Sequence, residues 1–274
     1  MQRRPISQLW SWIVIFGCLS TVLLIIGFGF GVADILRPAS VPFTDKPEMK
    51  LPPVEETSRS KELLIASLGD SLTRGTGDGT GEGYVRRTVS LLKEGTDKPV
   101  TLLNNMGING LRAEQLAERV EQESIGYVLK KANVILLTIG GNDLFQSAQS
   151  EQSEQMSPSA MDERALLAKT EKGTADLKRI LEGIRRWNKD ALIVYVGLYN
   201  PFADLKEMRQ IGNMVVQKWN DEAFRIINQD GNMLLVPTFD LFQHNIGSYL
   251  SSDHFHPNGE GYQAIAERIV QSIR

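Results

Sequence analysis

Five predominantly apolar runs alternate with amphipathic stretches through the body of this chain, and that alternation restricts the fold more than any other feature. The runs occupy residues 63–68, 100–105, 134–139, 192–196 and 233–237. Helical periodicity lies between and after them, near 84–93, 113–121, 163–187, 210–228 and 258–273. A strand that is apolar on both faces needs cover on both faces, so strands alternating with helices predict a three-layer α/β/α sandwich around a five-stranded parallel sheet. Ligands of such sheets bind beyond the carboxyl ends of the strands.

Three of those ends carry residues with chemistry. The first run leads into Gly69-Asp70-Ser71-Leu72, the second into Asn105-Met106-Gly107-Ile108-Asn109-Gly110, and the third into Gly140-Gly141-Asn142-Asp143. A fourth motif, Asp253-His254-Phe255-His256-Pro257, precedes the last helix. Together they supply a hydroxyl, an imidazole to take its proton, a carboxylate to fix the tautomer of that imidazole, and backbone and amide N–H groups for an oxyanion. Each has a plainer reading alone. Gly-Asp-Ser serves as a strand-to-helix turn with an N-cap, a glycine after a strand permits a turn, Asn-Asp makes an Asx turn, and Asp253 caps a helix beside two surface histidines. For Asp143 a structural role, capping the turn that follows it, is expected.

In order and spacing the four motifs resemble the GDSL, or SGNH, hydrolase family of esterases and lipases. Gly75, four positions after Ser71, completes the first block. The resemblance implies a flavodoxin-like SGNH fold, with Ser71 as nucleophile, His256 as general base and Asp253 as its orienting partner. It implies an oxyanion hole formed by the Ser71 N–H, the Gly107 N–H and the Asn142 amide. His254 falls at a variable position of the Asp-x-x-His block. Asn109 and Arg112 stand where related sequences often carry Ser and Thr, a departure that touches flanking contacts only. The family embraces lipases, lysophospholipases, thioesterases, arylesterases and carbohydrate deacetylases. The expected reaction is therefore hydrolysis of an acyl lipid, lysophospholipid or short-chain acyl ester through an acyl-enzyme. O-acetyl ester cleavage on a cell-envelope polysaccharide is the alternative. An inactive envelope-binding module is the reading from another class, and the intact Ser71, Asn142 and His256 count against it.

No cofactor is implied. The single cysteine, Cys18, excludes a disulfide framework, and three histidines, His244, His254 and His256, make a zinc site hard to assemble. A net charge of −3 gives no footing for nucleic acid.

The N-terminal region has a different character. Residues 12–33 carry no charge, a length of roughly 20 that suits a bilayer's hydrocarbon core. Arg3 and Arg4 precede it and Trp10 and Trp12 mark its start, which predicts a cytoplasmic N-terminus and an exported body. A permanent signal anchor over 1–36 is the expectation. Cleavage after Gly31-Val32-Ala33, giving a secreted protein, and lipidation at Cys18 are the competing readings. Residues 37–60, with five prolines, read as a flexible linker, and 61–274 as the hydrolase domain.

Three stretches stay open. The glycine-alternating segment 75–83 lacks the Gly-Lys-Ser/Thr ending of a phosphate loop and is expected to form a flexible rim. Residues 147–170 are read as a lid or a solvated insertion. Leu198, Tyr199 and Phe202, after the fourth run, fit an acyl pocket or core packing equally.

Overall fold

The computed structural model describes residues 6–36, 61–150 and 162–273. The chain falls into two units, Met1–Lys50 and Leu51–Arg274. The linker read over 37–60 lies outside the described residues. So does 151–161, the middle of the stretch read as lid or insertion.

The first unit contributes one helix, α1 (Ile6–Leu36), of 31 residues. Its large apolar side chains, among them Trp12, Phe16, Leu24 and Phe28, are exposed. Among the described residues no helix is long and apolar enough to cross a membrane.

The second unit is built on five strands: β1 (Leu63–Gly69), β2 (Val100–Gly107), β3 (Val134–Thr138), β4 (Leu192–Val196) and β5 (Met233–Val236). Their order is β2-β1-β3-β4-β5 and every pairing is parallel. This is the flavodoxin-like arrangement, with its switch point between β1 and β3. Strand alternation sends successive side chains to opposite layers. Ile135, Leu137, Ile193 and Tyr195 enter one apolar cluster, while Val134, Leu136, Val194 and Val196 enter the other.

The first cluster is closed by α4 (Ala113–Val120), α5 (Glu123–Leu129), α7 (Glu163–Trp187) and α8 (Lys206–Ile227). The second is closed by α3 (Gly83–Gly95), α9 (Phe239–Tyr249) and α10 (Gly259–Ile273). Spacing explains the helical faces. Leu177, Ile180, Leu181 and Ile184 of α7, and Tyr262, Ile265, Ala266, Ile269 and Val270 of α10, recur at three- and four-residue intervals and are buried. Asp162 caps α7 by accepting from the Arg164 N–H at 3.2 Å, and Asn258 caps α10 through the Gly261 N–H at 3.0 Å.

Four helices were not apparent in the sequence: α2 (Ser71–Arg74), α5, α6 (Gly141–Ser150) and α9. α2 and α5 are too short to show a period, and α6 opens on a glycine pair. α9 is bent at Asn245, whose backbone leaves the helical region (φ −125°, ψ 21°), and this blurs its 3.6-residue pattern.

Candidate active site

The register of the sheet brings the first three motifs together. β1 pairs with β2 so that Gly69 lies beside Gly107, and with β3 so that Gly69 lies beside Thr138. An irregularity after Ile65 shifts the β1–β2 register by one residue and makes that alignment possible. Ser71 therefore starts α2 at the carboxyl end of the central strand, almost fully buried. As the first residue of a helix, its N–H has no intrahelical acceptor.

The fourth motif arrives from a loop. Leu250 and Pro257 form an antiparallel bridge, and the Ser251 N–H donates to the His256 carbonyl at 2.8 Å. Within that turn the His256 imidazole lies with Nε2 2.8 Å from Ser71 Oγ and Nδ1 2.6 Å from Asp253 Oδ2. The other oxygen, Asp253 Oδ1, accepts from the Ser251 hydroxyl (2.8 Å) and from the backbone N–H groups of Phe255 and His256 (2.9 Å each). Partial burial pushes this carboxyl up, but the hydrogen bonds from His256, Ser251 and Phe255 outweigh it and hold it at about 2. An ionised carboxylate on Nδ1 places the ring proton there and leaves Nε2 able to accept from Ser71.

A second carboxylate, Asp70, adjoins Ser71 in sequence and plays another part. It is buried, and burial raises its pKa. Its Oδ1 accepts from Thr138 Oγ1 at 2.7 Å and from the Leu72 N–H at 3.1 Å. Thr138 in turn bonds Thr73 (2.7 Å), which bonds Tyr84 (2.9 Å) and the Leu68 carbonyl (3.0 Å). This chain of hydroxyls pins α2 to β1 and β3. Asp70 and Thr73 lie in the first motif block, but Thr138 and Tyr84 lie in none, and no local pattern links them.

Gly107 sits against α2, where a Cβ would come within 2.4 Å of the Arg74 nitrogen. Any larger residue would push α2, which carries Ser71, away. The Gly107 N–H donates to Asn105 Oδ1 at 3.1 Å, and Asn105 Nδ2 donates to the Thr73 carbonyl at 2.8 Å. Asn142 is buried, and its Nδ2 donates to the Leu111 carbonyl at 3.0 Å, leaving that amide a second N–H. Asp143 is structural, but it caps a different helix from the one expected. Both its oxygens accept the Ala113 N–H at the start of α4 (3.1 and 3.0 Å). Burial, opposed by that bond and reinforced by the charge of Asp70, lifts its pKa to about 6.

His254 is exposed, with the only positive φ (52°) of a non-glycine among the described residues, and the two contacts to Ser71 and Asp253 are made by His256. Tyr199 and Phe202 are buried. Tyr199 stacks on Phe242 with ring centroids 3.9 Å apart, and its hydroxyl donates to the Phe255 carbonyl at 2.7 Å. It thus braces the histidine turn, a role its position after β4 did not disclose. Segment 75–83, expected as a flexible rim, is a closed loop organised around the Asp78 carboxylate, which accepts from Thr80, Gly83 and Arg87. Among the described residues no group of three or more His, Cys, Asp or Glu is placed to hold a metal ion.

The chain is similar over most of its length to proteins of one kind. The uncharacterized protein YpmR of Bacillus subtilis strain 168 is 34% identical over 223 residues, covering 80% of this chain and 84% of YpmR. The spore germination lipase LipC of Bacillus licheniformis is 30% identical over 215 residues, covering 76% of this chain and 94% of LipC. Among solved structures, the lipase Lip_vut3 from a goat rumen metagenome superposes with a TM-score of 0.66 at 27% identity, over 77% of this chain and 97% of that one. The model of the GDSL-like Lipase/Acylhydrolase family matches residues 67–264. The chain belongs to that family, and it is an ester hydrolase.

Proposed function

We propose that Ser71, His256 and Asp253 form the catalytic triad of a serine esterase acting on acyl lipids or lysophospholipids at a membrane surface. The observation that carries the reading is the pair of contacts on one imidazole, 2.8 Å to Ser71 Oγ and 2.6 Å to Asp253 Oδ2. His256 Nε2 takes the Ser71 proton as Oγ attacks the ester carbonyl carbon. Charge that develops on the carbonyl oxygen is met by the Ser71 N–H, the Gly107 N–H and the second N–H of the Asn142 amide. The Gly107 N–H rests on Asn105 Oδ1, so the oxyanion must draw that donor from a neutral acceptor, an exchange that favours the charged partner. Collapse of the intermediate expels the alcohol, which receives the proton from His256. A water then attacks the acyl-enzyme with His256 again as base, releasing the acid and restoring Ser71.

Two observations favour a lipid substrate. LipC is a lipase by name, and a groove of about 470 Å³ beside Asp253 and His254 is lined by Pro201, Phe202 and Leu205 together with the polar Asp204 and Ser252. The uncharged stretch 12–33, preceded by Arg3 and Arg4, would serve as a single-pass anchor holding the hydrolase domain on the outer side of the cell membrane. One observation favours the alternative, an O-acetyl esterase of envelope polysaccharide. The enclosed cavity flanking the nucleophile, lined by Leu72, Gly141, Phe145 and Leu198, holds only about 20 Å³, room for a methyl group.

Hydrolysis rates across esters from acetyl to palmitoyl, measured beside an acetylated glycan, decide between them. The lipid reading expects kcat/KM to rise with chain length; a maximum at acetyl with fast glycan deacetylation would overturn it. For location, protease added outside protoplasts should release the body by cutting within 38–60. Soluble secreted material beginning at Asp34 would overturn the anchor.

A further inference from the structure

We propose that the closed loop over residues 75–83 is a backstop for the catalytic histidine, with Gly77 and Asp78 as positioning residues. The inference rests on His256 being the base of Ser71. Asp78, almost fully buried, ties the loop shut. Its Oδ1 accepts from the Thr80 N–H (3.0 Å) and Thr80 hydroxyl (2.8 Å), and its Oδ2 from the Gly83 N–H (2.9 Å) and Arg87 Nη2 (3.1 Å). The two ends of the loop meet, since a Cβ on Gly83 would lie 2.6 Å from Gly75 Cα.

Closed this way, the loop presses its backbone on the histidine turn. A Cβ on Gly77 would fall 2.8 Å from His256 Cβ, 2.6 Å from the Pro257 carbonyl oxygen and 3.0 Å from Ser251 Oγ, the hydroxyl that bonds Asp253. Behind that contact, Gly259 at the start of α10 approaches both Arg87 Nη2 and Asp78 Oδ1, and Arg87 Nη1 donates to Gln263 Oε1 of the same helix. Thr76 joins the other parts. Its N–H donates to the Ser71 carbonyl (3.0 Å), its carbonyl accepts from the Tyr262 hydroxyl (2.7 Å), and its hydroxyl donates to Asn109 beyond Gly107 (2.9 Å). One loop therefore touches the segments bearing nucleophile, base and oxyanion donor, without carrying any of them. Such a contact acts on the 2.8 Å approach of Nε2 to Oγ, where a misplacement of about 1 Å costs about 10²-fold in rate.

The test compares two glycines of this loop. A methyl on Gly77 meets the histidine turn, whereas a methyl on Gly79 meets open space. Gly77→Ala should lower kcat on a soluble ester by about 10²-fold, with KM within about threefold, and slow organophosphonate labelling of Ser71 in proportion. Gly79→Ala should match the wild type. Equal kcat for the two variants would overturn the backstop, and so would a loss by Gly77→Ala that falls in KM alone. Should Gly77→Ala fail to fold, Asp78→Asn carries the test. It adds no bulk and turns an amide toward the Gly83 and Arg87 donors, and about a tenfold fall in kcat at unchanged KM is expected; a wild-type kcat would overturn the proposal. Ser71→Ala, run in parallel, separates the two claims. Activity surviving in Ser71→Ala would remove the triad itself, whereas a dead Ser71→Ala beside a fully active Gly77→Ala would remove only the backstop.

Discussion

The proposed nucleophile and its proposed base reach the same point by opposite routes. Ser71 follows directly from β1, whose register is locked to β2 and β3 on either side, and the Asp70–Thr138–Thr73–Tyr84 network fastens its helix to the sheet. His256 is carried by no strand or helix. Its turn between α9 and α10 is closed by one bridge, the hydrogen bonds that converge on Asp253, and the hydroxyl of Tyr199, which follows β4. The place of the proposed nucleophile is thus underwritten by the sheet, and that of the proposed base by local polar contacts together with Phe255, which is buried in the first apolar cluster. A site assembled this way ties Ser71 to a strand paired on both sides and His256 to a turn that rests on a few separate contacts, each removable by one substitution.

The largest expected effect tests whether the two halves act as one unit. Ser71→Ala and His256→Ala should each lower kcat by at least about 10⁴, with the double variant little worse than either, since triad members are grossly non-additive. Ester hydrolysis and organophosphonate labelling measure it. Losses that multiply in the double variant would mean that the imidazole does not serve Ser71.

The same contrast explains what the sequence made legible. The strand runs announce themselves because burial on both faces demands continuous apolar residues, so the sheet, its parallel sense and the three motifs at its ends could be read directly. The histidine turn was legible only through its motif. Nothing in periodicity shows that Asp253 gathers Ser251, Phe255 and His256, that Tyr199 reaches the Phe255 carbonyl, or that Gly77 lies against His256. These are long-range contacts made by polar atoms, and hydrophobic patterning is silent about them. Asp143 illustrates the limit, because a capping role was readable and the capped helix, 30 residues upstream in sequence, was not.

Next in size is the oxyanion, to which the sheet side supplies every proposed donor. Asn142→Ala should slow kcat by about 10²–10³ with little change in KM, since the contact strengthens as charge develops. A change confined to KM would make Asn142 a ground-state contact. The comparison sharpens if the variant's fold stays intact, because Asn142 also holds the Leu111 carbonyl.

Acid should separate the two sides by sign. Asp253 and Asp78, which brace the histidine, are held at about 2 against an ordinary value of 3.8. Their contribution is fully present above pH 3.8 and is lost as pH falls through 2. Asp253 is more than a third exposed, so solvent screens much of its share. Asp143, on the oxyanion side, is pushed up to about 6. Below that pH the native state holds its proton more tightly than the unfolded chain, so acidification from pH 7 to 5 adds stability through this group. Denaturant midpoints at pH 7, 5 and 3 should show the wild type gaining on Asp143→Asn between the first two and losing on Asp78→Asn toward the third. Parallel curves for wild type and Asp143→Asn would break the contrast.

The smallest effect isolates local strain in the histidine turn. His254 holds φ 52°, a left-handed backbone that histidine tolerates better than most residues and that a β-branched side chain tolerates badly. Its N–H donates to the Ser251 carbonyl at 3.0 Å, so this conformation is what closes the turn over Asp253. Glycine there relieves a steric cost of roughly 1 kcal/mol but adds a comparable entropy to the unfolded chain, and the two nearly cancel. His254→Gly should therefore melt within a few degrees of the wild type, His254→Ala slightly lower and His254→Val lowest of the series. Activity of the glycine and alanine variants should stay within about tenfold, since His256 makes the contacts to both Ser71 and Asp253 and the loss of a peripheral contact is worth no more than about 1.4 kcal/mol. A valine variant as stable as the glycine one would show that the turn does not need this backbone. A larger loss of activity in His254→Ala, with stability kept, would place the imidazole on the substrate, on the apolar groove that it borders with Phe202 and Leu205.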